Sequence, residues 1–174
     1  MASKSFPRER LEKFAAKVVR RAKMIVESPR TIDGRNVRRV ATGELAESLG
    51  YNLKQGSIEF KAAKQGYWVE KGRKPSSKFP PMEAMRNWVR AKRIRPRDKF
   101  GRFKPMTESA INSIAFMAAK KVKEKGYKGI FFYEKAIERE IAKRDNDIRN
   151  GAANYTADEM RRRLKITLKF GEVK

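Results

Sequence analysis

Hydrophobic positions near the start of the chain repeat at helical spacing. Apolar side chains recur three or four residues apart, namely Leu11, Phe14, Ala15, Val18, Ala22 and Ile25. Such a repeat lies along one face of an α-helix, and the opposite face here is largely Lys and Arg. Ser28 and Pro29 end the pattern, because the residue before a proline disfavours helical backbone. The sequence therefore predicts a long amphipathic helix over Pro7–Glu27.

The pattern then changes to a period of two. A short helix is predicted over Glu44–Leu49, and apolar residues alternate with polar ones on both sides of a Gln55–Gly56 turn, at Tyr51, Leu53, Ile58, Phe60 and Ala62. Alternation of this kind predicts a β-hairpin with one buried face. The preceding segment, Thr31–Val40, is polar and basic, and its Asp33–Gly34 pair predicts a turn or mobile loop.

Two further strands are predicted. Tyr67–Glu70 is aromatic and β-branched and follows a Gln65–Gly66 turn, so it is interpreted as the next strand of a small antiparallel sheet. Near the C-terminus, Leu164, Ile166, Leu168 and Phe170 alternate with polar residues and predict a terminal strand. That strand either closes the sheet of its own subunit or adds to the sheet of a neighbour. A capping-box pattern at Thr156 and Glu159 predicts a short helix before it.

Three helices are predicted between and after these strands. Pro81 suits a helix start, and Met85, Trp88 and Val89 then share one face. Thr107 can cap a second helix that Gly126 ends. A third begins near Ile130. The predicted fold is α+β, with three to four antiparallel strands packed against the long N-terminal helix and two to three further helices. It forms one domain over residues 1–150, including an extended basic loop, followed by a C-terminal arm over 151–174.

Charge is the second strong feature of the chain. Its 174 residues include 44 Lys and Arg against 20 Asp and Glu, a formal net charge of +24. Such a field attracts polyanions, and neutralising phosphates releases counterions, so salt-sensitive binding to nucleic acid is expected. The alternative is that the basic residues only solvate helix faces.

Composition argues against an enzyme. The chain has no Cys and no His, which removes disulfides, thiol nucleophiles, imidazole bases and the commonest zinc ligands. Asp145–Asp147 begins like a calcium loop, but Arg149, Asn150 and Thr156 occupy positions where that loop requires other residues. No phosphate-binding loop or nucleophile elbow occurs. A non-enzymatic protein without cofactor or metal is expected, and no apolar run is long enough to predict a membrane span.

The segment Tyr67–Ile94 is typical of a docking element. It combines aromatic residues, one carboxylate and a basic, proline-bearing loop, and its candidate interface residues are Tyr67, Trp68, Glu70, Arg73, Phe79 and Trp88. Glu70 is expected to pair either with an arginine of an adjacent subunit or internally, with Arg73 or a lysine on a helix. The two tryptophans belong either to the core or to an interface.

A basic loop over Arg93–Pro105 is the candidate contact with DNA. Its candidate residues are Arg95, Arg97, Lys99, Arg102 and Lys104. Basic side chains interleaved with aromatic rings bind phosphates and stack on bases in single-strand grooves. The alternative is a solvated loop that Phe100 and Phe103 pin to the body of the protein.

Three motifs follow one another in a set order within Thr42–Ile141. The chain reads TGELAESL at Thr42–Leu49 and YWVEKGRKP at Tyr67–Pro75, and an alanine-rich helix at Ile114–Gly126 precedes the pair Phe131–Phe132. This order resembles the HK97 gp10-like family of bacteriophage neck and tail-completion proteins.

The resemblance implies a structural virion protein. It would complete the tail or neck and join it to the head by forming a homo-oligomeric ring of six or twelve copies around the DNA channel. Its partners would be other copies of itself, neighbouring neck, portal or tail proteins, and duplex DNA, and no membrane. It would lie in the neck or tail of the virion, and in the host cytoplasm during assembly. The alternative is a sequence-independent nucleic-acid-binding protein that acts free of any particle.

Overall fold

The computed structural model describes residues 8–32, 35–37, 43–54, 57–149 and 165–171. Its elements in order are α1 (Arg8–Glu27), β1 (Arg30–Ile32), β2 (Arg35–Val37), α2 (Glu44–Ser48), β3 (Gly50–Lys54), β4 (Ser57–Ala62), α3 (Gly66–Lys71), β5 (Gly72–Arg73), α4 (Met82–Ala91), α5 (Glu108–Lys125), β6 (Tyr127–Lys128), α6 (Phe132–Arg149) and β7 (Lys165–Phe170). They fall into two compact units, a first unit over residues 1–70 and 130–174 and a second unit over 71–129.

Helix α1 supplies much of the interior of the first unit. The hydrophobic stripe that predicts this helix is buried, with Phe14, Val18 and Ala22 almost wholly removed from solvent. It packs with α6 and with residues of strands β3 and β4. The predicted N-terminal helix is therefore confirmed, and burial of its apolar side chains stabilises it.

The first unit contains a three-stranded sheet in the order β3-β4-β7. Strand β4 is central, and its Ile58, Phe60 and Ala62 point into the core while the intervening residues are half-buried. The Tyr133 hydroxyl on α6 lies 2.5 Å from the Lys61 carbonyl oxygen and 3.2 Å from that of Gly50, which ties the helix to the sheet. The α+β fold and the β3–β4 hairpin predicted from the sequence are confirmed.

The sheet is mixed, whereas the sequence predicts an antiparallel one. Strand β3 runs antiparallel to β4, but β7 runs parallel to it, with Phe60 opposite Leu168. Parallel neighbours require a long crossover, and α6 lies between these two strands in the chain. The predicted terminal strand thus exists and lies in the sheet of its own chain, with Ile166, Leu168 and Phe170 packed against the core.

The predicted strand at Tyr67–Glu70 is wrong, because these residues belong to helix α3. Helical spacing turns Gly66 and Glu70 inward, one turn apart, and leaves Tyr67 and Trp68 exposed. Gly66 packs so closely that a Cβ there would lie 3.0 Å from the Ala62 Cβ. Tertiary packing thus overrides the strand preference of aromatic and β-branched residues.

Within the segment 31–40, predicted as a turn or loop, residues 31–32 and 35–37 belong to a short ladder. Strands β1 and β2 pair antiparallel, with Arg30 opposite Val37. An Asp–Gly pair between two strands strongly indicates a β-hairpin. The sequence was interpreted as a turn or loop only, so the two flanking strands were not predicted. The capping box at Thr156 and Glu159 lies outside the described residues. The division into a domain over 1–150 and an arm over 151–174 stays a prediction.

The second unit has a smaller interior. Helices α4 and α5 pack together around Val89, Ile111 and Ala115, with partly buried methionine and isoleucine side chains around them. The predicted cap of α5 is confirmed, since the Thr107 hydroxyl accepts a hydrogen bond from the Ala110 amide at 3.2 Å and Gly126 follows the last helical residue. Helix α4 begins one residue after the predicted Pro81, which is its N-cap.

Strands β5 and β6 bring the two ends of the second unit together. Gly72 pairs with Lys128, and its φ of 78° lies in the left-handed region. A Cβ at Gly72 would lie 2.4 Å from both the Gly129 nitrogen and the Tyr127 oxygen. Only glycine fits this position, because both the backbone angle and the close approach exclude a side chain.

Candidate nucleic-acid and partner interfaces

The segment Arg95–Lys104, here called the basic hairpin, is a loop with an ordered tip. Arg97 and Phe103 form an antiparallel bridge. The Asp98 amide donates to the Arg102 carbonyl at 2.9 Å, and the Gly101 amide donates to the Asp98 carbonyl at 3.0 Å. Gly101 has a φ of 80°, which glycine adopts without strain. The predicted basic loop is confirmed, and its tip is a tight turn.

Asp98 holds this turn together. One of its carboxylate oxygens accepts hydrogen bonds from the Phe100 and Arg102 amides, both at 2.9 Å, and the other lies 3.0 Å from the Arg102 Nε. The Arg102 amide, the Arg102 side chain and the Phe100 amide together hold the pKa of the Asp98 carboxyl below its usual range. The Asp98 carboxylate therefore binds groups of the hairpin itself and holds the backbone in the turn.

The two phenylalanines of the hairpin face solvent. Phe100 is 70% exposed and Phe103 is 60% exposed. The Arg97 guanidinium carbon lies 4.2 Å from the centre of the Phe103 ring, while the Lys99 Nζ and the Arg102 guanidinium carbon lie 5.0 and 5.3 Å from that of Phe100. The alternative in which these rings anchor the loop to the body of the protein is wrong, because the rings are exposed and contact basic side chains of the hairpin itself.

The end of helix α4 fixes how the chain enters the hairpin. The Ile94 amide donates to the Val89 carbonyl at 3.2 Å, and the Arg93 amide donates to the Arg90 carbonyl at 3.0 Å. This pattern is a Schellman motif, in which the residue after the cap adopts left-handed backbone. Arg93 has that conformation, with a φ of 50°. Ile94 then packs against the second unit's core.

Tyr67, Trp68 and Phe170 form an aromatic cluster on the first unit. The rings of Tyr67 and Trp68 meet edge to face with centroids 5.2 Å apart, and Tyr67 meets Phe170 in the same way at 5.8 Å. Tyr67 and Trp68 are almost half exposed. Of the two alternatives for Trp68, core or interface, the core is wrong because the side chain is exposed, and a place at an interface stays a prediction.

Glu70 lies in the interior of the first unit. Its carboxylate accepts hydrogen bonds from the amides of Tyr133 at 3.0 Å and Glu134 at 3.1 Å, in the first turn of helix α6. These amides lack partners within the helix, and a carboxylate suits the positive helix end. The predicted pairing with an arginine of another subunit is wrong, because Glu70 is fully buried. The internal alternative is right that the partner lies in the same chain, but the partners are two backbone amides and not Arg73 or a lysine.

Two opposing effects act on the Glu70 carboxyl. Burial raises its pKa because the charged form loses hydration, and the nearby Glu134 carboxylate also raises it. Hydrogen bonds from the α6 amides oppose this shift, and the net direction is upward. Glu70 is therefore a structural link between helices α3 and α6, which sequence reasoning assigned to an interface.

The remaining predicted interface residues lie in the second unit. Arg73 donates from its Nη2 to the Lys78 carbonyl at 2.9 Å. Phe79 stacks on Phe116 with centroids 5.8 Å apart, and the Lys123 Nζ lies 4.5 Å from the centre of the Phe79 ring. Trp88 is exposed on α4.

Phe116 was not among the residues that the sequence analysis selected. It is half exposed on α5, off the apolar stripe that carries Ile111 and Ala115. A large aromatic residue outside the stripe of an amphipathic helix is the signal that could have identified it.

Metal ligation and membrane insertion find no support in the residues described. Over this part of the chain, no group of three or more acidic residues that could hold a metal ion occurs. None of its helices combines the length and the apolar composition that crossing a membrane requires. The side chains of Asp145–Asp147 lie outside the described residues.

Comparison with known proteins gives no assignment. No family model, curated protein or solved structure matches this chain.

Proposed function

We propose that this chain is a structural protein of a tailed-phage neck, which completes the tail and joins it to the head as a homo-oligomeric ring around the DNA channel. The observation that carries the proposal is the exposure of the aromatic residues in the docking segment Tyr67–Ile94. Tyr67, Trp68, Phe79 and Trp88 are all exposed. Aromatic side chains are enriched at protein interfaces, where a partner removes them from water.

The charge of the chain fits a place beside DNA. Each copy carries a formal net charge of +24. A closed ring repeats this charge around its axis, which attracts both a polyanion in the channel and acidic neighbouring proteins. Like-charged copies also repel one another, so the ring needs apolar contacts between subunits, and the exposed aromatic residues supply candidates for them.

Strand β7 offers a second kind of subunit contact. It lies at an edge of the three-stranded sheet, with β4 as its one strand neighbour among the described residues. An open edge presents backbone donors and acceptors that can pair with a strand of another chain. The alternating exposure of β7 leaves Lys165, Thr167 and Lys169 outward, which limits such pairing to a partner that tolerates these charges.

Particle incorporation tests the interface part of this proposal. We expect Trp68→Ala and Trp88→Ala each to lower the amount of the protein in purified particles, because each removes an exposed aromatic anchor without opening a core cavity. Met24→Ala is the matched control, since Met24 is also exposed but lies on α1, which is not part of the docking segment. Incorporation of both tryptophan variants at the control level would contradict the assignment.

A second candidate function is sequence-independent binding of nucleic acid by the free protein. The observation that favours it is the exposed basic hairpin, which carries five basic residues against one acid. In that case, neutralising Arg95, Arg97, Lys99, Arg102 and Lys104 abolishes function, while the tryptophan substitutions leave it intact. The assembly function predicts the reverse order of damage.

A further inference from the structure

We propose that the basic hairpin is a preformed binding site for the phosphate backbone of duplex DNA, which it contacts without reading sequence. The inference deepens the proposed function and rests on it only for the role of the DNA. The hairpin's own geometry favours phosphates over bases, as three features of its side chains indicate.

The first feature is what covers the aromatic rings. Arg97 stacks on Phe103, while Lys99 and Arg102 lie over Phe100. A single-strand groove offers open ring faces on which bases stack. Here cations already occupy ring faces, and a guanidinium stacked in this way can still direct N–H groups at its edge toward phosphate oxygens. The phenylalanine rings therefore position the basic side chains and do not offer open faces to bases.

The second feature is the fixed shape of the turn. Three hydrogen bonds to the Asp98 carboxylate, the Arg97–Phe103 bridge and the left-handed Gly101 hold the backbone before any ligand arrives. Binding then requires less ordering of the loop, so more of the interaction free energy remains as affinity. A flexible basic tail would bind by charge alone.

The third feature is the uncompensated charge. The five basic side chains of the hairpin are all exposed. Within the described residues, Arg95, Arg97, Lys99 and Lys104 form no ion pair, and Asp98 pairs with Arg102. Four cations therefore remain for ligand phosphates. Duplex DNA has a higher phosphate density than a single strand, so the same cations release more counterions from the duplex.

The first experiment compares two triple variants of the full-length chain by fluorescence anisotropy. The probe is a labelled random-sequence duplex of thirty base pairs, titrated at several salt concentrations. The hairpin variant carries Arg95→Gln, Lys99→Gln and Lys104→Gln. The control variant carries Arg10→Gln, Lys17→Gln and Arg20→Gln, which removes the same charge from the exposed face of α1.

We expect the hairpin variant to reduce the steepness of log K against log salt by about 2.7, which is about 0.9 for each phosphate that the protein no longer neutralises. The control should reduce this steepness by less than about 0.9, the value for a single phosphate. Equal reductions in the two variants would overturn the proposal, because they would show that only the overall charge matters. A larger reduction with single-stranded DNA than with duplex would overturn it as well.

The second experiment measures the affinity of the Asp98→Ala variant for the same duplex. A preformed hairpin and overall charge predict changes of opposite sign in this affinity. Removing this carboxylate makes the chain more positive, so overall attraction alone predicts tighter binding. A preformed hairpin predicts weaker binding, by about threefold to tenfold, the cost of immobilising a flexible side chain on association. Tighter binding would overturn the proposal. Either result leaves the assembly role to be decided by particle incorporation, because this assay uses the purified chain alone.

Discussion

The two units of the molecule differ in what they do with their large apolar side chains. Among the described residues, the first unit gathers fifteen buried side chains in one cluster, whereas the cluster of the second unit contains three. Of the eight exposed large aromatic residues among those described, six belong to the second unit, namely Phe79, Trp88, Phe100, Phe103, Phe116 and Tyr127. The first unit is thus stabilised mainly by its own interior, and the second leaves much of its aromatic surface exposed to solvent.

Size accounts for part of this difference. A unit of about 60 residues buries a smaller fraction of its surface than a larger domain does, so its interior supplies less stabilisation. The second unit compensates with specific backbone devices, including the Gly72 contact between β5 and β6 and the Thr107 cap of α5.

The largest expected effect separates a core phenylalanine from a surface one. Phe60→Ala should lower the free energy of unfolding by about 3–5 kcal/mol, because it leaves a cavity at the centre of the first unit. Phe103→Ala removes the same atoms at a mostly exposed position, and it should change the free energy of unfolding by about 0.5 kcal/mol or less. Urea denaturation followed by circular dichroism measures both. Similar losses would remove the distinction between the two units.

The second-largest effect is expected for a glycine substitution that destabilises the second unit more than the first. Gly72→Ala forces a Cβ against the backbone of residues 127 and 129, and we expect a cost of about 1–3 kcal/mol for that strained position. Hydrogen exchange should then rise at Tyr127 and Lys128 while amides of β4 stay protected. Gly101→Ala is the matched control, since its φ is also positive but a Cβ there meets no atom within 4 Å. Equal exchange in β4 and β6 would indicate one cooperative unit.

Glu70 should give the first unit a distinctive pH dependence. Because its pKa is raised in the folded state, the folded chain binds more protons than the unfolded chain above the unfolded pKa of 4.5. The carboxyl therefore makes stability fall as pH rises from that value through the folded pKa. Glu70→Gln should remove this fall, so the free energy of unfolding of the original chain relative to the variant should decrease across that window. A difference that is constant with pH would contradict the direction of the shift.

The smallest expected effect concerns strain at the entrance to the basic hairpin. Arg93→Gly should raise the free energy of unfolding by about 0.5–1 kcal/mol, because glycine accepts the left-handed conformation that arginine adopts at a cost. Arg95→Gly removes the same charge from a residue without positive φ, so it should not stabilise the chain. Thermal unfolding compares the two. Equal shifts would mean that charge, and not backbone strain, is responsible.

Regular periodicity made part of this structure predictable. The helix α1, the β3–β4 hairpin, the Thr107 cap and the terminal strand each depend on spacing or capping within a single segment. Helix α3 was missed because its inward residues, Gly66 and Glu70, are selected by packing against distant parts of the chain. Local preference carries no information about such contacts.

The candidate surfaces were likewise predictable only in part. Their composition identified the exposed aromatic residues of the docking segment and the basic hairpin, but not Phe116, since unusual clusters of residue types are visible in the sequence. The partners of individual side chains were not predictable, as Glu70 shows, because a carboxylate can be satisfied by helix amides as well as by arginine. The role of Asp98 in ordering the hairpin likewise depends on backbone geometry.

The central claim is a joining role in the neck of a tailed phage, and electron microscopy of lysates tests it most directly. The lysates would come from a phage with a stop codon in this gene, beside the same phage complemented by the intact chain. We expect filled heads lying apart from completed tails without complementation, and joined particles with it. Normally joined particles in the absence of the protein would contradict the account.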